Sequence, residues 1–400
     1  MVGRRKVALI ALVVATALAA LAATAQARTQ ASGGASASSY KVGIIYSRTG
    51  LLASYGAQYI EGLRLGLRYA TKGTNKVNGR TIEVTLKDDA GNPATAVSAA
   101  KDLIGQGYKI LGGSTSSGVG LQVAPIAAQN QVLFISGPAA TDAITGLNRY
   151  TFRSGRQSLE DVLAAQSFLG KGVGKKIVVF AQDSAFGQAN VAAVTNVLGG
   201  KGHVVSKVLV PLTANDFTPF AQQARQANSD LLFVAWAGTT AAAMWQALDQ
   251  QNVFQGTKVV TGLDQRSTWA TFGNTGARIS FLSHYVWNGP KSKVNDWLVA
   301  QMRKRGQLPD LFTPDGFVAA QMIVHALQQA KGDDVSKMID ALEGWRFTGP
   351  KGPQVIRAQD HAMIQPMFQV QLVKQGSKWQ SKVLKIVSPG NVQPPVRPFP

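Results

Sequence analysis

Lys176–Phe180 (KIVVF), His203–Val210 (HVVSKVLV) and Leu231–Ala235 (LLFVA) are three short apolar runs rich in β-branched residues. The segments between them, Gln188–Leu198 and Phe217–Ala227, read as helices. A strand covered on both faces reads as a near-continuous apolar run, and two parallel neighbours need a crossover, usually a helix. Strand followed by helix, at about 30 residues per unit, therefore predicts a parallel sheet with helices on both faces.

The rhythm extends in both directions. Upstream, Lys41–Tyr46 (KVGIIY) reads as a buried strand, and a helix follows with Ile60, Leu63 and Leu67 on one face. Thr81–Leu86 alternates as a strand should, and Ala94–Ile104 reads as a helix with Asn92 as N-cap and Pro93 at its first position. Val119–Gln129 is a further helix and Val132–Ile135 a further strand. Downstream come the helix Thr239–Asp249, the strand Lys258–Val260 and a largely helical stretch (Lys291–Arg305, Pro314–Ala330, Val335–Leu342). Two strand-like runs, Met367–Val373 and Lys382–Val387, flank a turn at Gln375-Gly376-Ser377. Two such series, 40–156 and 157–284, predict two doubly wound α/β lobes. Residues 391–400 contain Pro394-Pro395 and a final Pro-Phe-Pro, so an extended, unstructured tail is expected.

The N-terminus fixes the expected compartment. Arg4, Arg5 and Lys6 precede an apolar run from Val7 to Ala23, and Ala25-Gln26-Ala27 places small residues before a cut ahead of Arg28. This is the layout of a cleavable secretory signal peptide over residues 1–27. The alternative is an uncleaved anchor, since the run approaches spanning length. Residues 28–39 (RTQASGGASASS) are small and polar and read as a flexible leader. A periplasmic or secreted protein is expected.

Composition narrows the function. Of 400 residues 45% are hydrophobic and 16% charged, which suits a folded chain. There is no cysteine, so disulfides, thiolate metal sites and a lipidated N-terminal cysteine are excluded. The net charge of +20 is scattered, with no basic run interleaved with aromatics, so a basic solvated surface is expected and no nucleic-acid partner. No G-x-S-x-G elbow, P-loop or G-x-G-x-x-G follows a strand, and His203, His284, His325 and His361 lack metal-ligand spacing. Neither catalytic machinery nor a cofactor is therefore expected.

Parallel sheets bind ligands at the carboxyl ends of their strands. There the chain carries an ordered set of segments. They are KVGIIYSRTG with Ser54-Tyr55-Gly56, the glycine-serine run 112–118, FISGPAAT (Phe134–Thr141) and QDSAFG (Gln182–Gly187). LFVAWAG (Leu231–Gly238), TGLD (Thr261–Asp264) and TPDGFVAAQ (Thr313–Gln321) complete the set. Together they resemble the branched-chain amino acid (Leu/Ile/Val-binding) group of periplasmic solute-binding proteins of ABC transporters, over about residues 40–390. The resemblance implies two lobes joined by three crossover strands, with the ligand in the cleft between them. Lobe 1 would hold 40–156 and 286–345, and lobe 2 would hold 157–285 and 346–390.

Ser114–Ser117 precede a helix, where free backbone N–H groups and the helix dipole favour an anion. Capping is the ordinary role of such serines. The resemblance makes Ser116 and Ser117 the carboxylate grip, and Ala139 and Thr141 the source of backbone and hydroxyl contacts. By the same resemblance Asp264 pairs with a ligand ammonium, although an Asp ahead of Arg266–Ala270 is equally placed to cap a helix. Tyr55 and Phe186 would line the cleft. Trp236 would either stack on the ligand or serve the core, and Asp183 would touch the ligand or make a turn. Asp264 stands where the family usually has Glu, and Phe186 where tyrosine is frequent. Aromatic carboxylates, amides such as urea and short-chain acids thus stay open beside amino acids. The expected protein is a monomer that closes around a small molecule and hands it to an ABC permease. A secreted two-domain enzyme and a ligand-sensing module acting on a receptor are the rivals.

Overall fold

The computed structural model describes residues 39–400, except for the side chains of 273 and 274. The expected signal segment, and the leader up to residue 38, lie outside the described residues. The first sheet is built from Tyr40–Tyr46 (β1), Lys76–Val77 (β2), Arg80–Asp88 (β3), Ile110–Gly112 (β4), Leu133–Ser136 (β5) and Thr151–Arg153 (β6). Its order is β2-β3-β1-β4-β5-β6, parallel apart from the β2–β3 hairpin. The period of two divides its side chains between two cores. Val42 and Ile44 join Ile135 and Val318 on one face, while Ile45 joins Leu111, Val123 and Phe134 on the other.

The second sheet starts from Lys176–Gln182 (β7), Val204–Val210 (β8), Leu231–Ala235 (β9), Lys258–Gly262 (β10) and Ile279–Ser283 (β11), all parallel. It alternates likewise, with Val178 and Phe180 in one core and Ile177 and Val179 in the other. The chain then returns to the first lobe. There the helix Thr313–Ala330 lies against Ala53–Ala70 with almost no space between backbones. A Cβ on Gly62 would sit 1.8 Å from the Thr313 carbonyl oxygen, and one on Gly316 would sit 1.9 Å from that of Tyr59.

Residues expected to rejoin lobe 2 at 346 do not do so there. Arg346–Gly349 (β12), Gly352–Ile356 (β13) and Met363–Ile364 (β14) form a separate antiparallel sheet, and Ile356 and Met363 belong to the first lobe's core. Runs this short, broken by Gly349, Gly352 and Pro353, carry no readable period. The second sheet is resumed only at Met367–Gln375 (β15) and Lys378–Val387 (β16), antiparallel to it, giving the order β16-β15-β11-β10-β9-β7-β8. The chain thus passes between lobes three times: after Arg153, after Ser283 and after Ile364.

The tail is not free either. Val392 is fully buried beside Ala164 and Met367 of the second lobe. Beyond it, Arg357 donates to the carbonyls of Pro394 (2.7 Å) and Pro395 (3.1 Å), and the Arg397 backbone N–H donates to Asp360 (3.0 Å). The Arg397 guanidinium reaches the Asp142 carbonyl (3.1 Å), and Phe399 meets His361 edge to face. The tail is a strap running from the second lobe back to the first.

Candidate ligand-binding cleft

A cavity of about 580 Å³ lies between the lobes, within the size range of small-molecule sites. At its first-lobe end is the N-terminus of the helix Ser117–Gln129. Ser116, its N-cap, makes no side-chain capping bond. Gly120 is the first amide of the helix with a backbone acceptor, the Ser116 carbonyl at 3.0 Å. The N–H groups of Ser117, Gly118 and Val119 are left without one, at the positive end of the helix. Ser117 is buried, and its Oγ accepts from the Thr141 N–H (3.2 Å), which leaves its own proton to donate.

Beside this end stands Arg156, from the first passage between lobes. Its Nε is 3.2 Å from Asp161, its Nη1 donates to the Pro138 carbonyl (3.3 Å), and its guanidinium lies 5.9 Å from the Phe312 ring centre. Nη2 has no protein partner. Burial holds the Asp161 carboxyl above its ordinary range, against the pull of Arg156. The loop rule pointed at residues after strands, and Arg156 follows β6. It was missed because nothing local separates it from Arg153. That residue, wholly buried, instead donates to the carbonyls of Ala139 (2.9 Å) and Thr141 (3.1 Å).

Arg153 also explains why two expected residues are off the cleft. The Ala139 carbonyl is taken by Arg153 and its N–H by the Ser114 carbonyl, while the Thr141 hydroxyl caps the short turn Asp142–Ile144. Ala140 lines the cavity in their place. Asp183 accepts from Gln188 (2.8 Å) and makes a turn away from the lining.

Tyr55, Ser116, Ser117, Phe186, Trp236 and Asp264 all line the cavity. Trp236 serves both of its readings, stacking on Phe180, meeting Phe217 edge to face and donating to Thr240 (3.0 Å) while it faces the cleft. Tyr55 bridges the lobes. Its hydroxyl donates to Asp264 Oδ1 (2.7 Å) and accepts from the Gly238 N–H (3.1 Å). Asp264 also accepts from the Gln265 N–H (2.7 Å), while the single Thr268 hydroxyl proton is shared between Asp264 Oδ2 (3.1 Å) and the nearer Gln265 carbonyl (2.8 Å). Burial raises the carboxyl of Asp264 and, more strongly, the phenol of Tyr55, so at neutral pH the tyrosine keeps its proton and donates. Gln58–Gln265 (2.9 Å) and Arg266–Leu308 (2.7 Å) add further bonds between the lobes, so the cleft is closed.

His284, Leu311 and Phe312 complete the wall; the last two precede a helix rather than follow a strand, so the rule of strand carboxyl ends does not point to them. His284 Nε2 lies 2.8 Å from the Leu311 carbonyl and therefore carries the proton. Burial pushes its pKa well below the usual histidine value, so the ring is neutral. Among the described residues no group of three or more His, Asp or Glu is placed to hold a metal, and no helix is long and apolar enough to cross a membrane.

Two lobes of parallel α/β structure, closed over a cavity at the carboxyl ends of their strands, define a hinged binding protein. Residues 39–377 match the family described as periplasmic binding protein, and the chain belongs to it. It is 26% identical over 345 residues to Leu/Ile/Val-binding protein homolog 6 of Brucella melitensis, covering 84% of this chain and 87% of the relative. A solved ABC-type branched-chain amino acid transporter protein from Rhodopseudomonas palustris is 33% identical, with a TM-score of 0.74 and coverage of 90% and 100%. A solute-binding protein of an ABC transporter from R. palustris BisB5, solved with 3,4-dihydroxybenzoic acid, is 25% identical, with a TM-score of 0.78 and coverage of 88% and 97%.

Proposed function

We propose that this protein works outside the cytoplasm. It closes on a small carboxylate and presents the closed lobes to an ABC permease, without covalent chemistry. The observation that carries this reading is the donor cluster at one end of the closed cleft. The unpaired N–H groups of Ser117 and Gly118, the Ser117 hydroxyl and the Arg156 guanidinium belong to residues that line the cavity, and a ligand anion would sit among them. The enzyme alternative lacks support in the cleft, because His284 is neutral and bonded to the Leu311 carbonyl, while Ser283 donates to the Tyr285 carbonyl (2.7 Å). Arg156 and the serine loop would hold the carboxylate, with Tyr55, Phe186, Phe312 and Trp236 around the ligand body.

The test is calorimetric titration of ligand-stripped protein. Leucine and 3,4-dihydroxybenzoate are the first probes, and the best binder is compared with its methyl ester. Esterification removes the charge from several hydrogen bonds, which costs about 2 kcal/mol or more, so affinity should fall at least about thirty-fold with no product formed. Equal binding of acid and ester would refute the carboxylate grip, and ligand turnover would refute the binding role.

A further inference from the structure

We propose that the pole of the second lobe remote from the cleft docks on an anionic phospholipid surface. The inference is independent of what the cleft binds. The parallel strands point their carboxyl ends at the cavity, so their starts share the opposite end of the lobe. Register keeps those starts level: Lys176 pairs with Val204, Lys258 with Leu231 and Val259 with Ile279. Cations scattered along the sequence meet there. Lys171 and Lys175 precede β7, Lys201 precedes β8, and Arg278 precedes β11. β15 runs antiparallel to β11, with Phe281 against Val370, so the hairpin tip carrying Lys374 and Lys378 projects past the same end.

These charges are not cancelled. Among the described residues none of these cations forms an ion pair. Lys175 and Lys201 donate to neutral acceptors, the Leu169 carbonyl and the Gln166 side chain, and keep their charge. Against them stand Asp230, which accepts the Lys176 N–H (2.8 Å), and Asp249 at the end of the helix before β10. The strand starts of the first lobe differ. There Arg80 meets Asp333 (3.7 Å), and Arg149 meets Asp340 (2.6 Å) and Glu343 (3.1 Å). A field of one sign is thus confined to one pole.

An apolar tip stands beside Lys171, Lys175 and Lys201. Val173 is 76% exposed between Gly172 and Gly174, both at positive φ, and Val204 at the start of β8 is 62% exposed. The Gly174 N–H donates to the Gly202 carbonyl (2.9 Å), which holds the two loops together. Exposed valines flanked by lysines match a bilayer boundary, where apolar groups enter the acyl region and cations stay among phosphates. A plane of headgroups also reaches every strand start at once, which a single acidic peptide segment does not.

Vesicle flotation of the exported chain provides the test. The vesicles are phosphatidylcholine alone, or phosphatidylcholine and phosphatidylglycerol in equal parts. The mixed vesicles should carry the protein and the neutral ones should not, and high salt should release it. Each lysine near an anionic surface changes partition about five-fold, so Lys171→Gln with Lys201→Gln should bind roughly twenty- to thirty-fold more weakly. Lys41→Gln with Lys109→Gln removes the same charge from the other lobe and should change partition by less than about two-fold. Val173→Ser should weaken it at least about three-fold. No binding to the mixed vesicles, or equal losses in the two double variants, overturns the proposal. So does full competition by polyglutamate together with wild-type partition of Val173→Ser, which would assign the pole to an acidic protein.

Discussion

Replacing Tyr55 by Phe separates closure from folding. The ring is kept, so the contact with Phe312 at 4.7 Å between ring centres survives. What is lost is one hydroxyl that makes two bonds to the other lobe, to Asp264 at 2.7 Å and from Gly238 at 3.1 Å. In an open protein Asp264 and the Gly238 N–H are hydrated, so their loss is felt only on closing. A hydrogen bond to a charged group is worth about 1.5–3 kcal/mol and a neutral one about 0.5–1.5 kcal/mol. Together they weaken the closed state by about 2 kcal/mol or more, and ligand affinity should fall at least about thirty-fold. Titration calorimetry of wild type and Tyr55→Phe with the same ligand reads this directly. Small-angle scattering should show that more ligand is needed to compact the variant. An affinity within two-fold of wild type would refute the argument, since the latch would then be unconnected to occupancy.

Two further predictions concern stability. Burial raises the Asp142 carboxyl from its ordinary 3.8 to about 6, so the native state still holds this proton after the unfolded chain has released it. Stability contributed by this group therefore falls as pH climbs from about 4 to about 6, and the deficit persists above. Asp142→Asn keeps an acceptor for the Leu159 N–H (3.0 Å) and removes the deficit, so it should stabilise by about 2–3 kcal/mol at pH 7 and by almost nothing at pH 4. Urea midpoints at the two pH values decide it, and destabilisation at pH 7 would refute it. Removing residues 393–400 should lower the melting temperature by several degrees, because it strips the carbonyl partners from Arg357 and the Arg397 bonds to Asp360 and Asp142. An unchanged melting temperature would mean the tail is as free as its composition suggests.

The tail shows where sequence reading stops. Proline composition says that residues 394–400 cannot build a helix or a central strand, and indeed they build neither. It does not say whether a remote surface offers donors to their free carbonyls, and Arg357 does. The same division runs through the fold. Burial of Val42–Ile45 on both faces of the sheet, and the Asn92 cap that accepts from Ala94 (2.8 Å) and Thr95 (3.2 Å), are local consequences of local residues, and both were legible. The short strands β12–β14 exist only because the first lobe's core receives Ile356 and Met363.

In the cleft the limit is sharper. Arg153, the last residue of β6, and Arg156 stand three residues apart, yet one is consumed by the carbonyls of Ala139 and Thr141 and the other faces the ligand space. Tyr55 and Asp264 were each assigned to the cleft, but as partners of a ligand. They are partners of one another, across 209 residues of chain and the boundary between lobes. A carboxylate's neighbours decide how much of it is left for a ligand, and those neighbours are set by closure. Ligand specificity in this fold is therefore a property of the closed state, and a single residue type at a matching position does not carry it.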